Sequence, residues 1–149
     1  MKDKLDLSIK DLTSAKGQII GTWSMGVFSP STEFDLNTKG FYFFLDPRAN
    51  VCLARFFVGE QRSAQGFASV LTHIRLRRSR VAELMMIPEK TGNLMVVHVP
   101  VDRMKYLTSA FAKGRIAKAF SRTLSDPYQN MSQVNRQLND IFKFKLQKY

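Results

Sequence analysis

The sequence predicts an α+β protein, with one antiparallel sheet of about five strands and helices packed mainly on one face. Three observations lead there. Two pairs of short β-rich runs are each divided by turn residues, Asp46–Ala49 in one pair and Pro88–Gly92 in the other. A third such run, Gln18–Phe28, precedes both. Helical periodicity is confined to segments between and after the paired runs. At 149 residues, with 44% hydrophobic and 23% charged residues, the chain suits a single domain whose core needs no metal or disulfide.

The elements follow in order. Residues 2–16 set Leu5, Leu7, Ile9 and Leu12 among charges, which fits a short helix or a first strand. Gln18–Phe28 carries Ile19, Ile20, Thr22, Trp23, Val27 and Phe28 and is expected as one strand, with Ser29–Thr38 as a loop. Gly40–Leu45 is an apolar strand too short for a helix. Asp46-Pro47-Arg48-Ala49 turns the chain into Val51–Val58. That run is apolar on both faces except at Arg55, which places it centrally in the sheet. Glu60–Arg78 is a helix with Phe67, Leu71 and Ile74 in one stripe. Val81–Ile87 and Asn93–Val99 are then expected to pair as a second hairpin across Pro88–Gly92.

After Pro100, the stripe Met104, Leu107, Phe111 predicts a helix, and its phase shifts at Gly114 to Ile116, Phe120, Leu124. Ser132 is placed to cap a last helix bearing Val134, Leu138 and Ile141. In topology alone, the order β-β-β-α-β-β-α is similar to that of type III secretion chaperones.

Charge is the distinctive property. The chain carries 23 Lys+Arg against 12 Asp+Glu, a net +11. Residues 1–59 hold 7 basic and 6 acidic side chains, whereas residues 60–149 hold 16 and 6. The positive field therefore belongs to the C-terminal portion, and such a surface draws nucleic acid, anionic lipid or an acidic protein.

Two features concentrate it. Arg75, Arg77, Arg78 and Arg80 fall within six residues at a predicted helix C-terminus, where cations suit the helix dipole. Planar guanidinium groups so clustered grip phosphates bidentately. The second is Lys113-Gly114-Arg115-Ile116-Ala117-Lys118-Ala119-Phe120-Ser121-Arg122. On a helix Arg115, Lys118 and Arg122 lie within about 60° of one another, opposite Ile116, Phe120 and Leu124. No acid interrupts that cationic face.

Other chemistry is poorly supported. Lys39-Gly40-Phe41-Tyr42-Phe43-Phe44 resembles part of the RNP1 strand of RNA recognition motifs. Tyr42 departs from its small residue, and no strand-helix-strand unit precedes it, so the aromatic run is read as core. His73 and His98 lack a nucleophile or acid at a catalytic spacing. Cys52, the lone cysteine, excludes an intramolecular disulfide and reads as an inert buried thiol. No metal or cofactor is expected.

No secretory signal or membrane-spanning run is legible, so a cytoplasmic setting is expected. The reading is a non-catalytic nucleic-acid-binding protein, of RNA or DNA, that contacts phosphates through Arg75, Arg77, Arg78, Arg80, Lys113, Arg115, Lys118 and Arg122. The alternative is a secretion-type accessory or chaperone-like factor whose basic surface meets an acidic protein partner.

Overall fold

The computed structural model describes residues 5–59, 66–103, 136 and 138–146. Its elements are β1 (Leu5–Asp6), α1 (Ile9–Ser14), β2 (Gln18–Ser24), β3 (Val27–Pro30), β4 (Gly40–Asp46), β5 (Val51–Val58), α2 (Phe67–Arg75), α3 (Arg80–Met85), α4 (Pro88–Thr91), β6 (Asn93–Val99), a 3-10 turn at Val101–Arg103, and β7 (Phe142–Lys143). Five strands form an antiparallel sheet in the order β3-β2-β6-β4-β5, and β1 pairs in parallel with β7. The predicted α+β class with one five-stranded antiparallel sheet is what the chain adopts.

The second hairpin is not the expected one. Val81–Ile87 does not pair with Asn93–Val99; its first part is α3, and Pro88–Thr91 is a further helical turn rather than a loop. The hydroxyl of Ser79 accepts from the Ala82 amide at 3.2 Å and caps α3. Ala82, Glu83, Leu84 and Met85 all favour helix, which outweighs the strand-like alternation from Val81 to Ile87. Pro88 opens α4 from its first turn. The fifth strand comes instead from Gln18–Phe28, expected as one strand but folded back on itself. Met25 and Gly26 both take positive φ (50° and 81°), as a type I′ turn requires, and Trp23 then faces Phe28 across the hairpin. Methionine is not a usual residue there, which is why the turn was hidden. With Val81–Ile87 helical, the likeness to secretion chaperones in element order is lost.

Strand β6 lies between β2 and β4 and joins the two hairpins. Val51–Val58, expected at the centre, is the last strand of the order. It is apolar on both faces because both are covered, and the amides of Lys145 and Leu146 donate to the Cys52 and Leu53 carbonyls along its outer edge. Every residue from Phe41 to Leu45 is fully buried, so the aromatic run is core, as read from the sequence. Phe41, Phe43 and Leu45 point to one side with Cys52, Val97 and Val99, under α1 and Leu138. Tyr42 and Phe44 point to the other with Trp23, Leu94 and Val96, under α2 and α3. The described helices therefore divide between the two faces rather than sharing one, because strand β4 is apolar on both.

Two buried groups give direct tests. Cys52 is fully buried, and its Sγ lies 3.3 Å from the Ala54 carbonyl. Burial pushes this thiol well above its ordinary range. Native protein is expected to react with a thiol reagent more than roughly 100-fold slower than unfolded chain, the rate reporting local opening. Comparable rates in buffer and in denaturant would disprove the burial.

His98 is 4% exposed, and its Nε2 donates to the Lys39 carbonyl at 2.8 Å. Burial lowers its pKa below 6.5, partly opposed by that hydrogen bond. The unfolded chain then takes up a proton more readily than the native state as pH falls. This stabilisation is complete above the unfolded pKa and is lost progressively on acidification below it. The melting temperature is expected to drop between pH 7.5 and 5.5, with a shallower slope in His98→Gln.

Candidate nucleic-acid interface

The basic loop is positioned from both sides. Helix α2 buries Phe67, Val70, Leu71 and Ile74 against the sheet, with Phe67 stacked 4.5 Å from Tyr42 and edge-on to Phe28 at 4.8 Å. Helix α3 is fixed by Ala82 and Met85, and the buried Trp23 donates through Nε1 to the Met85 carbonyl at 3.3 Å. Between them the chain has only Leu76-Arg77-Arg78-Ser79 in which to turn.

The turn has a defined geometry. Arg77 takes φ 51°, the left-handed region usually held by glycine just past a helix. The Arg77 amide donates to the Ile74 carbonyl at 3.0 Å and the Arg78 amide to His73 at 3.2 Å, while Leu76 donates to Thr72 at 2.9 Å. These bonds make a Schellman motif, which satisfies the orphan carbonyls of α2 and fixes the loop. A side-chain bond closes it, with His73 Nε2 and Ser79 Oγ 2.9 Å apart. Desolvation, and to a lesser degree the Arg78 charge, lowers the His73 pKa, so neutral pH leaves the imidazole uncharged.

Arg75, Arg77, Arg78 and Arg80 are all exposed. Arg80 is paired with Glu83 at 3.1 Å, an exposed contact of modest strength. Arg75, Arg77 and Arg78 make no ion pair among the described residues. Three exposed cations thus share one turn, and among the described residues no carboxylate pairs with them. Lys113, Arg115, Lys118 and Arg122, the other half of the predicted site, lie outside the described residues.

Sequence reasoning located the arginines but missed what holds them. Ser79 as a helix cap was a readable signal, since Ser before Arg-Val-Ala-Glu-Leu-Met is a common helix start. The left-handed Arg77 was not, because an arginine carries no glycine signature.

One buried cation belongs to the core instead. Arg55 is 8% exposed, its Nη2 donates to Asn139 Oδ1 at 3.0 Å, and its guanidinium carbon lies 5.3 Å from the Phe144 ring centroid. Burial lowers its pKa to about 10. Among the described residues, no three His, Cys, Asp or Glu side chains are grouped to hold a metal ion, and no helix is long and apolar enough to cross a membrane.

The chain is similar over its length to phage proteins. The "Nucleoid disruption protein" of Enterobacteria phage T4 is 41% identical over 153 aligned positions, spanning 96% of this chain and 98% of the relative. The protein of the same name from Enterobacteria phage T2 is 41% identical over 154 positions with the same coverage. No solved structure matches. The profile of T4-like phage nuclear disruption proteins (Ndd) matches residues 4–149, and the chain belongs to that family.

Proposed function

We propose that this protein acts on the bacterial nucleoid by binding its DNA through phosphate contacts, in the cytoplasm of the infected host. The observation that carries this reading is the Schellman turn, which presents Arg75, Arg77 and Arg78 exposed and, among the described residues, without ion pairs. The names of the relatives, nucleoid disruption proteins, favour DNA over RNA as the phosphate source. The sequence of the second segment, Lys113 to Arg122, adds cations of the same kind.

Binding of this type gains free energy when condensed counterions leave the duplex, and it is indifferent to base sequence. A protein working this way needs no catalytic group. It competes for DNA by occupancy and field strength, and the net +11 speeds encounter with the polyanion.

A mobility-shift series on double- and single-stranded DNA and RNA, with salt varied, tests it. Double-stranded DNA is expected to bind, with log K falling against log salt by about 0.9 for each phosphate neutralised. Failure to bind DNA at low salt, or tighter binding to an acidic protein under the same conditions, would overturn the reading.

A further inference from the structure

Among the large apolar side chains exposed on the described residues, Leu76 differs in its setting. It is 58% exposed and sits at the C-cap of α2, flanked by Arg75, Arg77 and Arg78. The others stand elsewhere. Met25 and Val27, 74% and 58% exposed, belong to the uncharged stretch 17–32, while Leu36 follows Asp35 and Ile87 lies two residues before Glu89.

Leu76 falls one turn after the exposed Thr72 and beside Arg75, away from the buried stripe Phe67, Val70, Leu71 and Ile74. The bonds that fix the Arg77 turn fix Leu76 as well, its own amide being one of the donors. An apolar side chain is thus held outward on a rigid turn, among cations that do not neutralise one another.

We infer that Leu76 is a wedge that enters between adjacent base pairs of double-stranded DNA while Arg75, Arg77 and Arg78 hold the phosphates on either side. The inference rests on the DNA-binding reading and adds to it a deformation of the duplex. Proteins that kink DNA combine these two parts, an apolar side chain that unstacks a step and cations that retain the bent backbone. The rigid turn matters because a flexible one would lose on ordering what the insertion gains. A lipid surface is the weaker occupant. Membrane attachment through an interfacial element needs a broad apolar face, and this loop offers one residue.

The test compares wild type, Leu76→Ala, Leu76→Met and Met25→Ala on a duplex of about 30 base pairs labelled at both ends. Affinity, its salt slope, end-to-end distance by energy transfer, and unwinding of a relaxed plasmid are measured. Wild type is expected to shorten the end-to-end distance and unwind the plasmid. Leu76→Ala keeps its melting temperature and salt slope, binds about tenfold more weakly, and leaves the duplex straight. Leu76→Met retains bending, and Met25→Ala behaves as wild type. Binding by wild type without bending or unwinding overturns the wedge and leaves phosphate binding intact, as does bending by Leu76→Ala equal to wild type. Absence of any shift overturns both. Leu76-dependent binding to phosphatidylglycerol vesicles, with duplex shape unchanged, overturns the wedge in favour of a lipid surface.

Discussion

Changing Arg75, Arg77 and Arg78 together to Gln is expected to weaken double-stranded DNA binding on the order of 10²–10³-fold near 50 mM salt and to flatten the log–log salt slope by about 2.7. The three contributions add. Each guanidinium that neutralises one phosphate releases close to one counterion, and none of the three is engaged by a carboxylate among the described residues. The loss should be the same for unrelated DNA sequences, because phosphate contacts carry no base information. Folding should be untouched, since all three side chains are exposed.

Arg77 permits a sharper version. Its left-handed φ of 51° costs a non-glycine residue about 1 kcal/mol. Arg77→Gly should therefore raise stability slightly while lowering DNA affinity, opposite signs from one substitution. A variant that gains stability and loses no affinity would show that Arg77 does not touch DNA. One that loses stability would mean that its side chain supports the turn.

Gly66→Ala should be strongly damaging, costing about 3 kcal/mol and roughly 10 °C in melting temperature. Gly66 precedes α2 with φ 52° and ψ −122°, a conformation essentially closed to residues with a Cβ. An added Cβ would also lie 2.3 Å from the Asn37 carbonyl carbon and 2.5 Å from the Leu36 oxygen, both backbone atoms that cannot swing aside. The close approach exists because the Phe67 amide donates to the Leu36 carbonyl at 2.6 Å, which ties the start of α2 to the loop before β4. Shifting that tie moves Phe67 off Tyr42 and Phe28, and with it the helix that presents the basic turn. Thermal unfolding at neutral pH measures the loss. A shift of less than about 2 °C would show that the junction yields without strain.

Much of this molecule is legible in its sequence. The hairpin of β4 and β5 followed from Gly40–Leu45, Asp46–Ala49 and Val51–Val58, where apolar runs and turn chemistry agree. The stripe Phe67, Leu71, Ile74 identified α2, since only one helical face could bury all three. The charge asymmetry and the arginine cluster needed nothing beyond composition and spacing.

Tertiary structure decided the rest, for reasons that can be named. Val81–Ile87 has a pattern acceptable to either period, and what resolved it was the Ser79 cap together with burial of Ala82 and of Met85, whose carbonyl accepts from Trp23. The turn at Met25-Gly26 depends on long-range pairing of β2 with β6, which holds Ser24 opposite Asn93 and leaves the chain to reverse at once. β5 looks central in sequence because local pattern records burial, not position in the sheet order, and an edge strand covered on both faces and closed by the C-terminal segment gives the same pattern. The four arginines could be counted from the sequence. That three face outward without ion pairs among the described residues while the fourth meets Glu83 follows from the left-handed turn between α2 and α3, which exists only because the sheet holds both helices in place.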